Sequence, residues 1–162
     1  MKLTIRSLVV SVACLGLSSL LVATAAAQGD PQVGTWQLNV AKSKYSPGPA
    51  PKNASTKIEA AGMGTKVTVD QTMADGTTRH WQFTANYDGK DALVTGNNPE
   101  ADMVARTRIN PNTVQTVSKK AGKVTTTQTS SVSKDGKTRT VMTKGVNAAG
   151  QQMTNIAVYE KQ

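Results

Sequence analysis

The chain of 162 residues has few of the side chains on which covalent and metal chemistry depends. It contains a single cysteine, Cys14, and a single histidine, His80. A zinc site needs several converging thiolate, imidazole or carboxylate ligands, and a reactive thiolate needs a cysteine in the folded domain. We therefore predict no metal site, no cofactor and no catalytic residues, and we expect that the protein is not an enzyme.

Aromatic residues are also scarce, with two tryptophans, three tyrosines and one phenylalanine. Sites for single-stranded nucleic acid interleave aromatic side chains with cations. The basic residues here are scattered, and Lys119 and Lys120 are the only adjacent pair. We predict no specific nucleic-acid partner, although the net charge of +9 leaves weak affinity for anionic surfaces open.

Residues 1–27 have the order of a secretory signal peptide. Lys2 and Arg6 form a basic start, residues 8–22 are an almost uninterrupted apolar run, and alanines end the segment. An uncleaved anchor is the alternative, because the apolar run approaches the ~20 residues that span a bilayer. We predict cleavage and export to the periplasm or beyond. The mature chain, 28–162, then has no transmembrane segment, no cysteine and a net charge of +7.

Beyond residue 30, short segments rich in Val and Thr alternate with turn signals. Asp-Gly dipeptides at 75–76, 88–89 and 135–136 are typical of hairpins, because glycine accepts the positive φ that their turns require. No window has a helical stripe, and the abundance of Thr, Val and Gly disfavours helix. The pattern predicts ten strands, at 33–40, 54–60, 65–73, 77–85, 90–95, 102–109, 113–119, 123–133, 137–146 and 151–160.

Ten strands joined by short turns close most simply as one antiparallel up-and-down β-barrel, since closure removes exposed sheet edges. We therefore predict an all-β protein in which residues 28–162 form a single barrel domain. A barrel of this strand number leaves more internal room than one of eight strands, whose interior side chains or one small ligand fill.

Two stretches resemble the calycin group, which comprises the lipocalins and the intracellular fatty-acid-binding proteins. Gly34-Thr35-Trp36 resembles the Gly-x-Trp opening of the first strand in both families, and residues 158–161 resemble the closing strand of fatty-acid-binding proteins. Together with the proline-rich loop at 46–51, the opening is also similar to small exported bacterial proteins of unassigned function. The resemblance implies a barrel that holds a lipid-like ligand near Tyr159. Where the family has a carboxylate-binding arginine, this chain has Ala157.

Our leading functional prediction is a non-catalytic, probably-monomer-sized barrel that binds a small uncharged apolar or lipid-like ligand in its interior, and we expect a monomer. The predicted lining is one face of the strands, formed by Trp36, Leu38, Trp81, Phe83, Met103 and Tyr159. For each of these residues alone, a place in an ordinary hydrophobic core is the simpler interpretation. The alternative function is a basic surface or matrix interaction module with a filled core and no small-molecule ligand.

Three polar arrangements leave other chemistry open. A Ser-His-Asp triad around His80 requires only that its members meet in space. Glu59 and Asp70 lie on neighbouring predicted strands and would suit paired-carboxylate glycoside chemistry if they faced each other. The polar loop 97–102 could coordinate calcium through its oxygens. Solvent-exposed strand positions and an ordinary loop are the simpler interpretations of all three.

Overall fold

The structure, a computed structural model, describes residues 29–162. The predicted signal peptide, with Cys14, lies outside the described residues. Within them the chain forms one 3-10 turn (Val40–Lys42), and no helix there is long and apolar enough to cross a membrane. The strands are β1 Gly34–Leu38, β2 Lys44–Ser46, β3 Asn53–Ala61, β4 Gly64–Thr72, β5 Thr78–Asn86, β6 Asp88–Gly96, β7 Met103–Asn110, β8 Thr113–Lys120, β9 Lys123–Val132, β10 Thr138–Val146 and β11 Gln152–Lys161.

Ten of these strands form a closed antiparallel barrel. From β3 to β11 each strand pairs with the next, and β1 closes the sheet by pairing with β3 on one side and β11 on the other. The short β2 pairs with β11 alone, so it continues the line of β1 beyond the 3-10 turn. The prediction of an all-β, ten-stranded barrel is confirmed. Each predicted strand matches an observed one to within about two residues at either end.

Glycines inside strands allow the sheet to bend tightly enough to close. Gly145 in β10 has φ +148°, and a Cβ there would lie 2.0 Å from the carbonyl oxygen of Thr125 on β9. Gly96 in β6 has φ +102°, and a Cβ there would lie 2.3 Å from the carbonyl oxygen of His80 on β5. Neighbouring backbones approach too closely at both positions for any side chain, as expected where a barrel strand bends sharply.

The segment before β1 folds across one end of the barrel, which we call the floor (residues 30–33 with Trp36). The side chain of Gln32 is fully buried, and its Nε2 donates to the carbonyl oxygens of Asn112 (3.0 Å) and Ser130 (3.3 Å). Its Oε1 accepts from the Ser130 hydroxyl (2.9 Å). The indole of Trp36, also fully buried, donates to the Gln32 carbonyl (2.9 Å). The floor therefore satisfies its polar groups while excluding water.

A charged pair fastens the same segment to the barrel wall. The Asp30 carboxylate accepts from the Tyr87 hydroxyl (2.6 Å) and from the guanidinium of Arg108 (2.5 Å), and that guanidinium lies 3.9 Å from the centre of the Tyr87 ring. Burial alone would raise the pKa of Asp30. Hydrogen bonds from Tyr87, from the Gln32 N–H and from Arg108 outweigh burial and hold that pKa below its ordinary value.

The largest apolar cluster lies between this floor and the middle of the barrel. The period of two along each strand directs its members inward, and burying each large side chain stabilises the fold by about 1.5–3 kcal/mol. The buried members are Trp36, Leu38, Ala54, Ile58, Val67, Val69, Val132, Val141, Ala157 and Tyr159.

Candidate functional site

The barrel contains a cavity of about 430 Å³. It reaches the end of the barrel opposite the floor, which we call the mouth, where the connections at 47–51, 98–100 and 147–149 line it. The proline-rich connection between β2 and β3 thus lies at the entrance, where a helical lid would lie in fatty-acid-binding proteins. The volume is within the range of small-molecule sites.

One wall of the cavity is apolar. Its side chains come from alternate positions of β4 and β5, where Val67 and Val69 lie beside Trp81 and Phe83. Val104, Val141 and Ala157 extend this wall from the strands beyond. These positions are β-branched or aromatic residues on the inward parity of their strands, as the period of two requires.

The facing wall is polar, and it is formed mainly by the Thr- and Ser-rich strands. Inward positions of β8 and β9 place hydroxyl and amide groups on the cavity, and Thr143 and Asn155 continue the polar wall on β10 and β11. The β8 and β9 lining residues are Thr116, Ser118, Thr126 and Gln128. The cavity is therefore amphipathic, with hydrocarbon on one side and hydrogen-bonding groups on the other.

Two arginines lie inside the barrel, between these walls. Arg106 of β7 is 2% exposed and Arg139 of β10 is 8% exposed, and both line the cavity. The Arg106 Nη1 donates to the Thr65 hydroxyl, whereas its buried Nε has no hydrogen-bond partner. The Arg139 Nε donates to the Ser130 hydroxyl (2.8 Å), and its guanidinium lies 5.5 Å from the centre of the Tyr159 ring.

Neither interior arginine forms an ion pair with a carboxylate of residues 29–162. Burial lowers the pKa of both, and for Arg139 it does so to about 10, so both stay protonated at neutral pH. Burial also raises the pKa of the Tyr159 hydroxyl, which therefore stays neutral. The cavity thus holds two positive charges whose nearest partners are neutral hydroxyls and aromatic rings.

The structure brings three of the six predicted lining residues to the cavity. Trp81, Phe83 and Tyr159 line it. Trp36 and Leu38 instead pack in the apolar cluster near the floor, outside the cavity lining.

The predicted placement of Met103 differs from the structure. Val104 and Arg106 occupy the inward positions of β7, so Met103 is half-buried on the outer face. The parity of this strand puts an arginine inside, and the prediction avoided that parity because charged side chains rarely face a core.

The interior arginines are the residues that sequence reasoning missed. The resemblance to fatty-acid-binding proteins carries over Tyr159 but offers only Ala157 for the cation. In the structure Arg139 lies directly opposite Tyr159 in the β10–β11 register, so the neighbouring strand supplies a cation beside the same tyrosine. The available signal was parity, because Arg139 shares its strand face with the buried Val141 and Thr143.

The paired-carboxylate arrangement does not form. Glu59 lies opposite Lys66 and is bridged to Lys57 at 2.8 Å, and it does not face Asp70. Asp70 lies opposite His80, whose exposed ring Nδ1 is 2.7 Å from the Asp70 carboxylate.

Ser55 lies across β4 from this pair, opposite Asp70. The carboxylate thus stands between the serine and the histidine, whereas a triad places the imidazole between serine and carboxylate.

The polar loop 97–102 uses its oxygens to hold its own shape. The Asn98 side-chain oxygen accepts from the N–H groups of Glu100 (2.9 Å) and Ala101 (3.1 Å). Asp102 accepts from the N–H of Ala121 at 2.8 Å. Within residues 29–162, no three His, Cys, Asp or Glu side chains converge as metal ligands would.

Comparison with known proteins identifies no relative. No family model matches the chain, and no curated protein matches it.

Proposed function

We propose that this protein is an exported, non-catalytic barrel that binds a small amphipathic acid in its interior. One observation carries the proposal: two buried, protonated arginines border an open cavity and have no carboxylate partner among the described residues. A buried charge without a counterion is strongly unfavourable. A ligand carboxylate, sulfonate or phosphate would supply the missing counterion and accept hydrogen bonds from Arg106 and Arg139.

The lining indicates how such a ligand would lie. Arg139 and Tyr159 are near the ends of their strands that face the floor, whereas Val69 and Trp81 lie nearer the mouth. The acidic head would therefore enter first and contact Arg139, while the hydrocarbon part would rest against the apolar wall. A compact amphiphile fits a cavity of about 430 Å³.

The proposal departs from the sequence-based prediction of an uncharged ligand, because such a ligand would leave both guanidinium groups unpaired. It also departs from the alternative of a filled interaction module. The open cavity supports an interior ligand, whereas a filled core would offer no room for one.

A pair of naphthalene dyes that share an anilinonaphthalene frame provides a direct test. Purified, delipidated protein is titrated with anilinonaphthalene sulfonate, which is anionic, and with N-phenylnaphthylamine, which is neutral, while dye fluorescence is followed. Charge-assisted hydrogen bonds of about 1.5–3 kcal/mol predict that Arg139→Met weakens binding of the sulfonate roughly 10- to 100-fold. Binding of the neutral dye should change little.

Lys66→Met is the matched control, because it removes one positive charge from the exposed outer wall. It should leave the affinity for both dyes unchanged. Equal loss of sulfonate binding in the two variants would assign that binding to the net charge of the protein and would overturn the proposal. Equal loss of both dyes in Arg139→Met would show a packing effect instead.

Export is tested separately, by expressing the full chain in a bacterium and sequencing the amino terminus of the protein from the periplasm and the medium. Cleavage after Ala27 is expected. Retention of residues 1–27 in a membrane fraction would contradict it.

A further inference from the structure

We propose that the mouth-side tip of the β8–β9 hairpin docks the barrel on an anionic lipid bilayer. The docking tip comprises Lys120, Lys123 and Val124 of this hairpin together with Leu93 of β6. All four side chains are exposed. The proposal does not depend on which ligand occupies the cavity.

The two lysines of the docking tip are paired with each other across the hairpin. Lys120 lies directly opposite Lys123 in the β8–β9 register, and neither forms an ion pair within residues 29–162. Like charges directly opposite one another destabilise a strand pair. A negatively charged surface would relieve that repulsion, so the lysine pair is electrostatically complementary to anionic headgroups.

Apolar side chains extend beside the lysines on the outer wall. Leu93 is 63% exposed and Val124 is 58% exposed. The strand registers place them in one row, in which Leu93 lies opposite Met103, Met103 opposite Lys119, and Lys119 opposite Val124. Exposed leucine and valine next to unpaired lysines are the residue types that enter a bilayer interface.

The acidic groups near the docking tip are already engaged. Both carboxylate oxygens of Asp91 lie 2.8 Å from the Lys119 amine, and Asp102 accepts from the N–H of Ala121. Burial raises the pKa of Glu100, which reduces its negative charge. The lysines that remain without a partner, Lys120 and Lys123, therefore dominate the outward-facing charge at this point.

Hydrogen bonds join the docking tip to the mouth of the cavity. The Thr125 hydroxyl donates to the carbonyl of Glu100 (2.7 Å), and the Asp102 N–H donates to the carbonyl of Lys119 (2.9 Å). Glu100 belongs to the connection that lines the entrance. Docking through this tip would hold the cavity entrance beside the lipid headgroups.

The test is co-sedimentation of the delipidated mature protein with vesicles, either of pure phosphatidylcholine or of phosphatidylcholine with about one third phosphatidylglycerol. We expect binding to the anionic vesicles that weakens as salt is added. The double variant Lys120→Glu/Lys123→Glu should weaken that binding by about 30-fold or more, at about 5-fold for each lysine removed from the surface.

Lys134→Glu/Lys137→Glu is the matched control, because it reverses two exposed lysines on the β9–β10 hairpin at the floor end. It makes the same change in net charge and should weaken vesicle binding only about 2-fold through long-range screening. Equal losses in the two double variants would overturn the proposal, because net charge alone would then explain the binding.

A third variant separates a bilayer from other polyanions. Leu93→Ser/Val124→Ser should lower vesicle binding about 10-fold at high salt and leave binding to heparin unchanged, because only the bilayer accepts apolar side chains. Binding to heparin without binding to anionic vesicles would overturn the proposal. Circular dichroism of each variant confirms that the strands are intact.

Discussion

The floor and the interior of the barrel use arginine in opposite ways. At the floor, Arg108 is paired with the Asp30 carboxylate and stacks on Tyr87. In the cavity, Arg106 and Arg139 are more deeply buried than Arg108 and have only hydroxyls and aromatic rings as partners. The floor is therefore electrostatically complete, whereas the cavity lacks an anion, and this difference locates the functional site in the cavity.

The same contrast holds for packing. Trp36 at the floor is fully buried, and its indole N–H has a partner. Trp81 is only partly buried and borders empty space. Residues at the floor thus contribute mainly to stability, and residues at the cavity are free to contact a ligand.

Trp36→Ala should have the largest effect on stability of any change predicted here. It would remove the largest fully buried side chain and the hydrogen bond to the Gln32 carbonyl. The free energy of unfolding should fall by about 3–5 kcal/mol. Trp81→Ala should lower it by about 1–2 kcal/mol, since the side chain already borders a cavity.

Urea unfolding followed by circular dichroism measures both tryptophan variants. Equal losses for the two would remove the distinction between a packed floor and an open cavity.

Asp30→Asn should have the next largest effect, because it removes the carboxylate that holds the floor segment. The loss at neutral pH should be about 2 kcal/mol, the range for hydrogen bonds to a charged group. The pKa of Asp30 is lowered in the folded protein, so its contribution is fully present above the unfolded pKa of about 3.9 and is lost as the pH falls through the lower folded value.

Urea unfolding between neutral and acidic pH measures the effect. The difference between the parent protein and Asp30→Asn should shrink as the solution is acidified. Asp75→Asn is the control, because Asp75 lies in an exposed turn at the mouth end and its carboxylate contacts only Thr77. A difference for Asp30→Asn that stayed constant with pH would show that the charge of Asp30 does not hold the floor.

The strands could be predicted from the sequence because their signals are local. Asp-Gly turns and the alternation of Val and Thr specify where each strand begins and ends, and short turns leave an up-and-down barrel as the simplest closure. The three-residue β2 lies beside the proline-rich loop and has no pattern of its own, so it was not predicted. Gln32 precedes the first strand, and nothing in its neighbours indicates that it folds back across the barrel.

The candidate site could be predicted only in part, because it depends on which face of each strand closes inward. Apolar residues mark that face on β5, which gave Trp81 and Phe83. On β7 and β10 the inward face includes Arg106 and Arg139, and the general preference of arginine for water argued against that placement.

Arg139→Met should have the smallest effect on the empty protein, and its sign is the sharpest test of the comparison. Methionine retains the length of the side chain and removes a buried charge that has no counterion. The free energy of unfolding should rise by about 1 kcal/mol. Arg108→Met should instead lower it by about 1–2 kcal/mol, because it leaves the Asp30 carboxylate without its cation.

Urea unfolding of delipidated protein measures both signs, and adding an anionic amphiphile provides the matching control. The ligand should stabilise the parent protein and Arg108→Met by similar amounts, since both retain Arg139, and should stabilise Arg139→Met much less. If Arg139→Met instead destabilised the empty protein as Arg108→Met does, the hydroxyl of Ser130 and the ring of Tyr159 would be adequate partners for its guanidinium. The cavity would then be as complete as the floor, and the charge argument for an acidic ligand would fail.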